Sequence, residues 1–123
     1  MFHYELDKLY LHLGSNRIGD QGVASLALAL AGRRIHCLDL QNNGIGDRGM
    51  VCLAEARPAM MDLELLDLRY NRIGNEGVAS LAEALGALVS LNRLYLSGNE
   101  TITYRGVALL KARAQPNLVM FTV

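Results

Sequence analysis

One phrase recurs four times along the chain. Asparagines stand at positions 16, 43, 71 and 99, at spacings of 27, 28 and 28 residues, and a fixed period of this size is typical of a repeat array. The phrases are LHLGSNRIGDQG, LDLQNNGIGDRG, LDLRYNRIGNEG and LYLSGNETITYRG, of which the fourth carries one extra residue before its glycine. A unit of about 28 residues cannot bury an apolar face alone. We therefore predict that the units stack into a single domain over residues 1–123.

The first half of each phrase predicts a strand and a turn. Leucines alternate, as at Leu38 and Leu40, with the period of two that turns one strand face inward. The asparagine can then satisfy backbone groups where the chain leaves the strand, so stacked units should form an asparagine ladder. The first strand has two readings, LDKLYL and LYLHLG, which differ by two residues and keep the same side chains on each face.

The second half of each phrase predicts a helix. Residues typical of a helix N-cap stand at Asp20, Asp47 and Asn75, and apolar residues then recur at helical spacing. Pro58 and Pro116 should close the second and fourth helices. Because parallel strands need a long crossover, the expected α/β architecture is a parallel sheet on one wall and a row of helices on the other.

Composition excludes several classes of function. The chain has 12 basic and 12 acidic residues and is 51% hydrophobic, so no net field favours nucleic acid or an anionic membrane. No apolar run reaches the length of a membrane span, and MFHYELDK lacks the character of a secretory signal. Cys37 and Cys52 are too few for a disulfide framework and match no zinc spacing. We expect a cytoplasmic protein without cofactors.

The pattern LxxLxLxxN, followed by IG[DN]xG and a helix rich in Leu and Ala, resembles the leucine-rich repeats of the ribonuclease-inhibitor type. It is also similar to repeats of Ran GTPase-activating proteins and NOD-like receptors, which the use of asparagine in all four turns matches more closely. The resemblance covers residues 6–123 and implies a right-handed α/β horseshoe segment with a concave sheet and convex helices. It does not specify function, because one fold serves unrelated partners.

In such a fold the strand residues between the leucines form the concave face. The candidate partner-binding residues are Tyr10, His12, Asp39, Gln41, Asp67, Arg69, Tyr70, Arg93 and Tyr95. Tyrosine and arginine dominate binding hot spots, so Tyr10, Arg69, Arg93 and Tyr95 are the predicted anchors, with Tyr70 at the rim. We predict a protein partner of unspecified identity and no catalysis.

The sequence supports a metal site or a catalytic site on the same face less well than it supports partner binding. His12, Asp39 and Asp67 should stand in one row, but strands about 4.8 Å apart hold them in a line rather than converging on a metal ion. Arginines such as Arg69 and Arg93 are the expected counter-charges of the two carboxylates. Cys37 has no predicted group that would lower its pKa.

The size and ends of the array leave alternatives open. Five short strands give a concave face of about 400 Å², below the roughly 800 Å² of a standard interface, so a partner should also contact the rims. The apolar strand LVMFTV suggests instead an oligomerising unit that associates through an uncapped C-terminal edge, or a segment of a larger repeat receptor. A third hypothesis, from the resemblance alone, is a GTPase regulator.

Overall fold

A computed structural model describes residues 8–122. Within these residues five strands alternate with four α-helices, and two short 3₁₀ helices follow the second and third of them. The elements are β1 Tyr10–His12, α1 Gly19–Ala29, β2 Cys37–Asp39, α2 Asp47–Glu55, a 3₁₀ helix Arg57–Met60, β3 Leu65–Asp67, α3 Asn75–Ala84, a 3₁₀ helix Leu85–Ala87, β4 Arg93–Tyr95, α4 Tyr104–Arg113 and β5 Val119–Phe121.

The strands form one parallel sheet in chain order, β1 to β5, which confirms the predicted α/β solenoid. Leu11 pairs with Leu38, which pairs with Leu66, and Leu66 pairs with Leu94. These inward leucines of β2 to β4 are fully buried against the helices. The register selects the LYLHLG reading of the first strand, because Leu11 and not Leu9 stands opposite Leu38.

The predicted asparagine ladder is present in the turns. Asn71 illustrates it: its Oδ1 accepts hydrogen bonds from the backbone N–H groups of Asn43 and Ile45 at 2.9 and 3.0 Å. Its Nδ2 donates to the carbonyl oxygens of Leu40 and Leu68, both at 3.0 Å. Each ladder asparagine after the first therefore fixes the strand end of the preceding repeat as well as its own.

The predicted N-cap role of Asp20, Asp47 and Asn75 is wrong. None of the three helices has a side-chain cap hydrogen bond, and all three side chains accept from the next repeat instead. Asp47 Oδ1 accepts from the backbone N–H groups of Gly74 and Gly77 at 2.8 and 2.9 Å. These bridging residues therefore join successive helix starts, a long-range role that local propensity does not reveal.

Glycines in the first helical turn permit this close approach. A Cβ on Gly77 would lie 2.6 Å from Asp47 Oδ1 and 3.0 Å from Ile73 Cγ2. Gly49 stands in the same relation to Asp20, at 2.6 Å. The glycine of the repeated phrase thus makes room for the preceding repeat's carboxylate.

The last strand, β5, lies at the edge of the sheet next to β4, as predicted. Met120 pairs with Leu94 and packs against the core, while Phe121 pairs with Tyr95 and lies on the outer face of the sheet. The alternating side chains of this edge strand thus face the core and the outer face of the sheet in turn. None of the helices in residues 8–122 has the length and apolar character that a membrane crossing requires.

Candidate functional site

The strand registry places the predicted concave residues in two rows across the sheet. The row nearest the strand starts consists of Tyr10, Cys37, Leu65, Arg93 and Val119, and the next row consists of His12, Asp39, Asp67, Tyr95 and Phe121. Gln41 and Arg69 stand two residues beyond the ends of β2 and β3. The sequence therefore predicted the positions of these residues correctly, and the register adds Val119 and Phe121 to the same face.

Four of these residues form a compact cluster, which we call the concave cluster: Asp67, Arg69, Tyr95 and Phe121. The Asp67 carboxylate, 4% exposed, accepts from Arg69 Nε at 3.0 Å and from Arg69 Nη2 at 2.7 Å. The guanidinium carbon of Arg69 lies 5.0 Å from the centre of the Tyr95 ring, within cation–π range. The Phe121 ring stacks on the Tyr95 ring, with the two centroids 4.7 Å apart and the two planes at 10°.

The two aspartates of the second row have different partners. Asp39 accepts from the backbone N–H and the Nε2 of Gln41, at 3.1 and 3.2 Å, whereas Asp67 binds Arg69 in the same position. The expected pairing with Arg69 is thus confirmed. Arg93, the other expected counter-charge, makes no ion pair within residues 8–122.

The hydrogen bond with Asp67 also affects Arg69 itself. It is the largest cause of the raised pKa of the guanidinium, ahead of the opposing effect of burial. An arginine is charged at all physiological pH values, so the consequence is geometric. Because Asp67 binds its guanidinium and the Tyr95 ring packs against it, Arg69 presents its remaining N–H donors in a fixed orientation.

The environment of Cys37 is unfavourable to a thiolate. Burial is the first cause of its raised pKa, followed by the negative charges of Asp39, Asp67 and Glu64. A nucleophilic cysteine needs the opposite, a pKa lowered by positive neighbours. Both cysteines are free, and no group of three or more His, Cys, Asp or Glu side chains in the described part of the chain is placed to hold a metal ion.

This environment predicts slow alkylation of Cys37. The measurement uses a Cys52→Ser variant, because Ser25 and Ser80 occupy the equivalent position in the first and third repeats. The rate at which Cys37 reacts with iodoacetamide should rise with pH, and the pH at which it is half-maximal should be higher than for a free cysteine peptide. Asp39→Asn should lower this midpoint, because it removes one of the carboxylate charges. A profile that coincides with the peptide in both variants would contradict the proposed environment.

Tyr70 forms the rim beside this face, as predicted. It is exposed, adopts a left-handed backbone conformation with φ of 58°, and its ring covers Gly98, where any Cβ would overlap the ring. A depression of about 440 Å³ lies next to it, lined by Tyr70, Asn71, Arg72, Gly98, Glu100 and Thr101. A tyrosine in this conformation is strained, and its exposed ring lies outside the sheet, next to the concave face.

Sequence reasoning missed Phe121 as a concave residue. The final strand lacks the paired leucines of the others, so the interpretation of LVMFTV as an edge strand does not assign its residues to the two faces of the sheet. Alternation alone could have found it, because a core-facing Met120 requires that Val119 and Phe121 point outward.

The family of the chain follows from a scan against protein-family models. A model described as Leucine Rich repeat matches residues 9–27, 35–54, 59–82 and 87–111, more than half of the chain. The protein therefore belongs to the leucine-rich repeat family, whose repeats generally mediate protein–protein interaction and are typically not enzymes. A search of curated proteins gave no significant match.

Proposed function

We propose that this protein is a non-catalytic binding module that holds a protein partner on the concave cluster and the adjoining rim. The observation that carries the proposal is the fixed stack of Arg69, Tyr95 and Phe121 above the buried Asp67. Tyrosine and arginine are enriched in binding hot spots. Side chains that are already ordered lose little further conformational entropy on binding.

The partner we propose contacts more than the sheet. Tyr10, at the start of the first row, and Arg93, its fourth residue, are exposed. The depression beside Tyr70 extends the surface past the strand ends. His12, Asp39 and Gln41 complete the surface on the side of the first repeats. Rim contacts of this kind would bring the buried area toward the roughly 800 Å² of a standard interface.

We also infer that the repeats are of the ribonuclease-inhibitor type. Two features support this: a period of 27 to 28 residues and an α-helix in every repeat. Leucine-rich repeats with shorter periods use less regular convex segments.

Arg69→Gln should weaken partner binding about tenfold or more, because it removes the cation from the hot-spot stack. The substitution keeps the fold, since Gln41 already forms the equivalent contacts with Asp39 in the second repeat. Arg113→Gln is the matched control: Arg113 is exposed in the last turn of α4, on the helix side of the solenoid, away from the concave cluster and the rim.

Both variants and the wild type are immobilised, and the proteins they capture from cell extract are quantified by mass spectrometry. We expect a set of proteins retained by the wild type and by Arg113→Gln but depleted by Arg69→Gln. Identical capture by all three proteins, with unfolding midpoints unchanged, would reject the concave cluster as the binding site.

A further inference from the structure

The convex side carries an apolar groove between the first two helices. It is lined by Ala24, Ala27, Leu28, Cys52, Glu55 and Ala56 and has a volume of about 340 Å³. One wall is α1 and the other is α2, and the groove lies on the helix side of the solenoid, opposite the concave cluster. A partner in this groove would therefore leave the concave face free.

Comparison between the repeats shows that the fold does not require this apolar surface. Leu28 is 80% exposed and stands twelve residues after its ladder asparagine, where the second and third repeats have Glu55 and Glu83. Both glutamates are exposed as well. A position that accepts glutamate in two repeats has no structural need for leucine in a third, and a leucine in water forgoes the free energy of burial.

The groove carries negative charge only. Glu55 is its one charged lining residue, and neither Glu55 nor Glu83 belongs to an ion pair within residues 8–122. Arg57, just beyond α2, donates instead to the Ala54 carbonyl at 2.9 Å. The opposite wall adds no charge, because Asp20 is the one ionisable residue of α1 and its carboxylate is bonded to the N–H of Gly46.

We propose that this groove docks a helical segment of another protein, which inserts an apolar side chain beside Leu28 and places a lysine or arginine against Glu55. A groove between two neighbouring helices accepts the ridge of a third, and an amphipathic helix in such a groove is a recurrent recognition mode. The carboxylate of Glu55, which makes no ion pair within residues 8–122, selects the sign of the flanking charge. The proposal concerns a second surface and does not depend on the concave cluster.

The probes are three synthetic helical peptides that share one leucine stripe and differ in the residues flanking it: lysine, glutamine or glutamate. Each is titrated into the whole protein while methyl NMR signals of Leu28, Ala24 and Ala27 are followed. The lysine-flanked peptide should bind most tightly and should shift these methyl signals. Leu28→Gln should weaken it about tenfold, the value expected from the loss of a buried leucine contact.

Glu55→Gln separates the charge from the apolar contact. It should weaken the lysine-flanked peptide about two- to fivefold, as for a surface ion pair, and leave the glutamine-flanked peptide unchanged. Both substituted side chains are exposed, so unfolding midpoints should stay at the wild-type value. The proposal predicts that Arg69→Gln leaves all three affinities unchanged.

Several results would overturn the proposal. They are equal affinities of the lysine- and glutamate-flanked peptides for the wild type, no measurable binding of any peptide, or methyl shifts confined to Leu65 and Val119 on the concave face. A wild-type molar mass that rises with concentration while that of Leu28→Gln stays monomeric would assign the groove to a second copy of this chain instead. None of these results bears on the capture experiment with Arg69→Gln, so the two proposals can fail separately.

Discussion

Asn71→Ala is expected to lower the free energy of unfolding by about 3–5 kcal/mol. The substitution removes the acceptor of two backbone N–H groups, those of Asn43 and Ile45, and the donor to the carbonyls of Leu40 and Leu68. The side chain is 7% exposed, so water cannot readily replace these bonds. Each buried group left unpaired costs about 1–3 kcal/mol, and a small domain has only about 5–15 kcal/mol in total.

Asn16→Ala is the matched control, because it is the same substitution at the exposed end of the ladder. Among the described residues the Asn16 side chain bonds only to the Leu13 and Gly14 carbonyls of its own turn, and its backbone N–H bond to Asn43 Oδ1 is unaffected by the substitution. We expect a loss of about 1 kcal/mol or less. Urea unfolding measures both, and amide hydrogen exchange should become faster at Asn43 and Ile45 in Asn71→Ala alone. Equal unfolding midpoints in the two variants would show that the ladder does not hold the repeats together.

Gly77→Ala is expected to destabilise the protein by about 2–4 kcal/mol although alanine is the better helix former. The new Cβ would lie 2.6 Å from Asp47 Oδ1, 3.0 Å from Ile73 Cγ2 and 3.1 Å from Met50 Cγ. Asp47 cannot withdraw without breaking its bonds to the N–H groups of Gly74 and Gly77. Overpacking and lost charged hydrogen bonds outweigh the roughly 1 kcal/mol that alanine gains in helix propensity.

Gly86→Ala, in contrast, should raise the free energy of unfolding. Gly86 lies in the 3₁₀ helix after α3, its φ is not in the left-handed region, and a Cβ would meet nothing within 4 Å. A compatible glycine-to-alanine change stabilises by about 0.4–1 kcal/mol through the unfolded chain. Urea midpoints that move in the same direction in both variants would mean that the close approach at Gly77 is not the cause.

The period of the sequence was sufficient to predict the fold. Once the asparagines were aligned, alternation placed Leu38, Leu66 and Leu94 in the core and Asp39 and Asp67 on the outer face, and the register agrees. These predictions succeed because the repeat forces each residue into the environment of its counterparts. The concave positions followed from the same alignment; their role in binding stays a prediction.

Local sequence patterns do not predict the contacts between one repeat and the next. Asp47 has the chemistry of a helix cap, yet its carboxylate serves the next repeat because the N–H groups of Gly74 and Gly77 lie closer in the stacked structure. Only in the fourth repeat does the predicted behaviour occur: Thr103 caps its own helix through the N–H of Arg105. The Arg69 to Tyr95 stack likewise depends on the lateral distance between strands, which no spacing along the chain encodes.

The bridging residues and the ladder make the second and third repeats interchangeable at their borders. Each offers an asparagine to the repeat before it and an acidic or amide acceptor to the repeat after it. A tandem duplication of 28 residues within this stretch would thus meet matching partners on both sides and leave existing contacts in register. Gene duplication could lengthen such a chain one unit at a time, adding new positions to the concave rows while the polar connections between units stay the same.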